Sequence, residues 1–122
     1  MCGIFGVYGH NQFDYCIKNL NSLFSTIKNR GPDSSDYFIE NNLNVLIGHT
    51  RLSIIDLSQN GSQPMKSRNG NLIISFNGEI YNHKYLRSNL NNTAFPFKSN
   101  TDTESLLEHI SDYGIHKTLN KV

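Results

Sequence analysis

The chain has 122 residues and a formal net charge of +1. That length suits one domain burying about two-thirds of its unfolded surface, and the scattered, balanced charges lack the basic footprint of a nucleic-acid binder. No apolar run approaches the roughly 18 residues of a membrane span, no basic start leads into a long apolar core as in a signal peptide, and two cysteines are too few for a disulfide framework and fit no metal-binding spacing. The expected compartment is a reducing cytoplasm, with neither nucleic acid nor membrane as a partner.

The start, MCGIFGVYG, places a cysteine directly behind the initiator methionine. Residues 2–8 predict a buried strand whose glycines let another backbone approach. With Met1 removed, Cys2 would carry a thiol and a free α-amine on one residue. Such an amine has a reference pKa of about 7.7–8.0, close to what a general base needs at neutral pH. An inert second residue is the other reading at this point.

Residues 12–29 predict an amphipathic helix, with Phe13, Cys16, Ile17, Leu20, Leu23, Phe24 and Ile27 at helical spacing. Cys16 lies on that stripe and reads as a core thiol. Gly31-Pro32 stops the helix, because proline disfavours helical geometry in the residue before it. Residues 36–40 and 43–48 predict a hairpin turning at Asn41-Asn42, its second strand open to extension through residue 55. Residues 56–64 read as a polar loop, 71–78 as a strand ending in a turn, 81–91 as a short helix and 93–100 as irregular chain. A helix over 101–114 opens with a Thr101–Glu104 capping box and closes at Gly114. This order of elements implies an α+β layered domain.

A nucleophilic thiol needs a base, a substrate grip and oxyanion donors. His10, His49, His83, His109 and His116 show no catalytic spacing, so the economical base for Cys2 is its own amine. Asn77-Gly78, just past a strand, reads either as a hairpin turn or as a side-chain amide and a backbone N–H converging on an oxyanion. Arg51 interrupts the apolar run GHTRLSII. It either faces water from an edge strand or grips a carboxylate bidentately. Asp102 either complements the dipole of its helix or receives an ammonium group. Together, Arg51 and Asp102 could hold the two charged groups of an amino acid.

Taken in order, MCGIFGVYG, RGPDSS at 30–35, GHTRLSIIDLS at 48–58, SQPM at 62–65, FNGEIYN at 76–82 and TDTESLL at 101–107 resemble class II glutamine amidotransferases. More closely, they resemble the glutaminase domain of glutamine-hydrolysing asparagine synthetases. The resemblance implies an N-terminal-nucleophile hydrolase fold, a four-layer αββα sandwich. It implies Cys2 as nucleophile, Asn77 and Gly78 as the oxyanion hole, and a glutamine pocket formed by Arg51, Leu52, Ser53, Ile54, Ile55, Asn77, Gly78, Glu79 and Asp102. Within it, Arg51 would take the α-carboxylate and Asp102 the α-ammonium. No metal or cofactor is implied in this segment; ATP and Mg belong to a synthetase domain. Glutamine and such a domain, or a partner chain, are the implied partners.

The family domain continues past LNKV, residues 119–122, with further strands. Residues 1–122 are therefore expected to be the N-terminal part of an amidotransferase domain, incomplete at its C-terminus and without the synthetase domain. Alone, they are expected to be aggregation-prone or partly folded, without measurable glutaminase. Two other functions remain open: a non-catalytic fragment that binds glutamine or a partner chain, and an amidotransferase with another acceptor, such as a sugar acid or a peptide carboxylate.

Overall fold

The apolar run behind Cys2 forms strand β1 (Gly3–Tyr8), the first element of a computed structural model that describes residues 1–54, 56–90 and 96–122. The chain divides into two units. One contains Met1–Ser53, Ser62–Pro64 and Ser75–Asn77; the other contains Ile54–Gly61, Met65–Ile74 and Gly78–Val122. Helices and small antiparallel sheets together place the fold in the α+β class.

In the first unit, β2 (Ser34–Glu40) and β3 (Val45–Arg51) form the expected hairpin, and β1 pairs with the other edge of β3. The sheet order β1-β3-β2 makes β3 central. The turn is longer than the Asn41-Asn42 dipeptide. Residues Asn41–Leu43 form a 3-10 turn, the Glu40 carboxylate accepts the Asn42 N–H, and Asn44 takes a left-handed conformation. Leu43, expected as the first residue of the strand, therefore lies exposed in the turn.

The single helix expected over residues 12–29 is broken. Helix α1 (His10–Lys18) and helix α2 (Leu20–Ile27) meet at Asn19, followed by a 3-10 turn, Lys28–Arg30. The Asn19 side chain donates to the Tyr15 carbonyl at 2.7 Å, and its own N–H is shared between the Tyr15 and Cys16 carbonyls. Asparagine competes for helical carbonyls in this way, which apolar periodicity does not register. The helices cover one face of the sheet: Phe24 stacks edge-on against Phe5, and Thr50 Oγ1 donates to the Ile27 carbonyl. Cys16 is half-buried, less enclosed than the core thiol expected from the apolar stripe.

In the second unit, β4 (Met65–Lys66) and β5 (Ile73–Ile74) form a two-stranded ladder. The strand expected over 71–78 is thus only two residues long. Helix α3 (His83–Ser88) is shorter than the 81–91 expected, and residues 91–95 lie outside the described residues. Helix α4 (Asp102–Tyr113) begins and ends as expected, at Thr101 and Gly114, and a further short helix, α5 (Ile115–Leu119), follows it. Leu86, Leu90, Leu106 and Leu107 form the apolar core of this unit, each contributing about 1.5–3 kcal/mol by burial. Among the described residues, no helix is long and apolar enough to cross a membrane.

Gly31, in the RGPD segment, lies against the backbone of Thr50 and Arg51, where an added Cβ would meet the Thr50 carbonyl. Gly6 has room for a Cβ at ordinary contact distance. Gly31→Ala should therefore cost about 1–3 kcal/mol through overpacking against rigid backbone, with Gly6→Ala much milder. Thermal melts of both variants check this; equal melting temperatures would remove the close approach.

Candidate active site

Antiparallel pairing of Gly3 with Thr50 carries Cys2 to the level of Arg51, next to the Arg51–Leu52 peptide. Cys2 accordingly meets the Leu52 peptide. The Leu52 N–H points to Cys2 Sγ at 3.4 Å, and the Leu52 carbonyl lies 3.8 Å from the sulfur. Arg30 Nε donates to the Cys2 carbonyl at 3.1 Å, so backbone and sulfur are both held. Met1 is 75% exposed.

Asp33 holds the chain where it leaves β3. Its N–H donates to the Arg51 carbonyl at 3.0 Å, and its carboxylate accepts the Ser53 N–H at 2.7 Å. Leu52 and Ser53 are half-buried between these anchors. Arg51 is 8% exposed on the central strand, which removes the water-facing edge reading.

His49 shares the face of β3 with Arg51 by strand alternation. It is 1% exposed, and among the described residues neither ring nitrogen makes a well-formed hydrogen bond. Burial pushes its imidazole below the ordinary value, and Arg51 adds to that; the Phe76 backbone opposes it.

Residues 75–77 are tied into the same unit. Ser75 Oγ donates to the Gly48 carbonyl at 3.4 Å, and the Phe76 N–H donates to Gln63 Oε1 at 2.6 Å. Asn77 follows directly and is half-buried. Asn77-Gly78 closes no hairpin, since β5 ends at Ile74 and the next regular element is α3.

The remaining expected site residues belong to the second unit. Ile54 is exposed, as are Gly78 and Glu79. Ile55 lies outside the described residues. Asp102, 7% exposed, is the first residue of α4. One carboxylate oxygen accepts the Thr103 N–H and the other accepts the Ile80 N–H, each at 2.8 Å. It thus satisfies its own helix terminus and also tethers the segment that carries Glu79.

Sequence pattern assigns no role to Arg30, Asp33, His49 or Gln63. Three of them lie in RGPDSS and SQPM, which were singled out as motifs without any partner being assigned. Their partners, Cys2, Ser53 and Phe76, lie 28, 20 and 13 residues away. The histidine had no spacing signal. Among the described residues there is no cluster of side chains able to hold a metal ion.

A family model described as a glutamine amidotransferase domain matches residues 1–122. The chain belongs to this family. It is 38% identical over 119 residues to a glutamine-hydrolysing asparagine synthetase of Bacillus subtilis, the match covering 93% of this chain and 18% of the relative. It is 34% identical to a putative asparagine synthetase of Methanocaldococcus jannaschii, over 93% of this chain and 24% of that protein. A fungal amidase, chry2 of Gibberella zeae, is 34% identical over 81% of this chain and 15% of its own length. This amidotransferase chain therefore spans between about one-seventh and one-quarter of the length of these relatives.

Two measurements test the geometry of this amidotransferase chain without assaying turnover. Asp102→Asn keeps one of the two oxygens that accept the Thr103 and Ile80 N–H groups, and should melt between the unsubstituted protein and Asp102→Ala. Asp102→Ala should lose about 1.5–3 kcal/mol, as expected for hydrogen bonds to a charged group; equal melts for the two variants would remove the tether.

The second measurement is stability against pH. The His49 imidazole is held below its ordinary 6.5, so the unfolded chain takes up a proton that the folded chain refuses. Stability is fully present above about pH 6.5 and is lost as pH falls through the folded value. His109 shifts the same way, mainly through burial and further through Lys121, with Asp112 opposing. Melting temperature should therefore drop from about pH 7.5 to about pH 5, the range in which imidazoles titrate, and His49→Gln should flatten the slope. An unchanged slope would take His49 out of this linkage.

Proposed function

We propose that this chain carries the glutamine-hydrolysing chemistry of a class II amidotransferase, with Cys2 as an N-terminal nucleophile once Met1 is removed. The observation that carries the reading is the Cys2 sulfur held against the Leu52 peptide, beside the buried Arg51 and one residue behind an exposed initiator. The thiol proton passes to the α-amine of the same residue, and the sulfur attacks the side-chain amide carbon of glutamine. The Asn77 amide and the Gly78 N–H stabilise the oxyanion. The α-ammonium returns the proton to the leaving nitrogen, which departs as ammonia. Water then cleaves the thioester to release glutamate and the free thiol.

Arg51 takes the substrate α-carboxylate and Asp102 the α-ammonium, with Leu52, Ser53, Ile54, Ile55 and Glu79 completing the glutamine contacts. The fold assigned with this reading is the αββα N-terminal-nucleophile sandwich, supported by an antiparallel sheet with helices over one face. In this reading the protein is cytoplasmic, and no cofactor enters this half-reaction. The ammonia would serve ATP- and Mg-dependent asparagine synthesis from aspartate in a synthetase domain or partner chain, a role supported by the asparagine synthetase relatives.

The test is ammonia release from glutamine by the protein that carries this chain. Intact mass should show loss of one methionine and no acetylation. Cys2→Ala should abolish turnover while glutamine still binds. Asn77→Ala should lower kcat about 10²–10³-fold with little change in KM. Arg51→Lys should weaken glutamine use severely, because a point ammonium does not replace a bidentate fork. Full turnover in Cys2→Ala, or activity with Met1 retained, would overturn the mechanism.

A further inference from the structure

We propose that Gln63 is a positioning residue for the oxyanion donor Asn77, an inference that rests on the glutaminase reading above. The chain needs such a device because its ladder ends early. Strand β5 stops at Ile74, and, among the described residues, residues 75–77 pair with no strand. A backbone N–H left inside a fold must find an acceptor. The Phe76 N–H finds it in the Gln63 side-chain oxygen, at 2.6 Å. Gln63 is itself 8% exposed, so its amide is held by its surroundings and does not follow Phe76 into solvent. Ser75 Oγ to the Gly48 carbonyl, at 3.4 Å, is the longer and weaker of the two attachments.

Phe76 is bonded directly to Asn77, so its position sets where the Asn77 amide points. Oxyanion donors act only when they lie about 2.7–3.1 Å from the developing charge. A shift of about 1 Å can cost roughly 100-fold in rate even when its origin is remote from the chemistry. The effect of Gln63 should fall on kcat. The substrate carboxylate is assigned to Arg51, on a strand whose ladder pairs with β1 and β2 and does not involve Gln63.

The experiment compares three substitutions in the protein that carries this chain. Gln63→Met keeps volume and loses the acceptor. Gln63→Asn keeps the amide but is one methylene short of Phe76. Gln63→Glu keeps both length and acceptor oxygen. Each is measured for ammonia release from glutamine and for hydrogen exchange at the Phe76 amide. Gln63→Met and Gln63→Asn should lower kcat about 10- to 100-fold with KM unchanged and with faster exchange at Phe76. Gln63→Glu should recover most of the rate and the protection.

Unchanged kcat in Gln63→Met and Gln63→Asn would overturn the proposal. So would an equal loss in Gln63→Glu with the Phe76 amide still protected, because the residue would then act through packing. An unsubstituted protein that binds glutamine and releases no ammonia would overturn the glutaminase reading, and this role with it. That result is separate from the others because it appears before any substitution is made.

Discussion

The pairing register of β1 against β3 is the constraint on which the first unit depends. Side chains alternate along a strand, so a slip of one residue would turn every side chain of β1 to the opposite face. Two glycines oppose that slip. An added Cβ at Gly3 would stand 2.6 Å from Thr50 Oγ1, and the space a side chain would need at Gly48 is filled by the Phe5 ring. With Gly3 opposite Thr50, the sulfur of Cys2 reaches Leu52 and the Cys2 carbonyl reaches Arg30. The RGPD segment serves the same register: Gly31 lies flat against Thr50, and Asp33 receives the turn after β3. Gly3 is thus a requirement of packing as much as of any chemistry at residue 2.

The second unit is organised around a buried carboxylate. Glu104 accepts the Lys98 N–H, the Ser99 N–H and the Ser99 hydroxyl at 2.7–2.8 Å, whereas Arg87 stands 3.9 Å away. Short hydrogen bonds to an ionised acceptor are about twice as strong as neutral ones, so the loop backbone, rather than the guanidinium, is the main partner of Glu104. Arg87 spends its donors on Ser105 Oγ and on the Ser99 and Thr101 carbonyls, and lies over the Phe97 ring at 3.9 Å. Both charges therefore fix the chain leading into α4. That is the chain which delivers Asp102 to the Ile80 N–H.

The features legible in the sequence were those decided locally. Thr101 caps α4 as its hydroxyl and spacing required, accepting the Glu104 N–H, and Gly114 ends the helix. Even there, only half of the capping box formed. The Glu104 carboxylate bypasses the Thr101 N–H for Lys98 and Ser99, and Ser99 Oγ takes that N–H at 3.3 Å. The shortened β5 and the Gln63 contact were illegible for a different reason. A run such as NLIISF is apolar whether or not a partner strand lies beside it, and pattern alone does not say where pairing stops. Asn19 broke a helix that periodicity had joined because its competing amide is invisible to an apolar count. For Arg51, the order of strands, not the residue type, decided between water and burial.

A nucleophile at the chain terminus places unusual demands on a fold, and the first unit meets them in a specific way. In a Cys–His arrangement, two side chains from separate elements must be brought into register. On the reading proposed here, thiol and amine belong to one residue, and their relative placement is fixed by its own few torsions. The fold then has to hold the carbonyl side and the sulfur of Cys2 while leaving the amine free. Arg30 holds the carbonyl, the Leu52 peptide holds the sulfur, and the exposed Met1 marks the direction left open. The anchoring groups are a guanidinium and a backbone amide, neither of which takes up or gives a proton near neutral pH. They can orient the thiol without competing for the proton that the amine is there to accept.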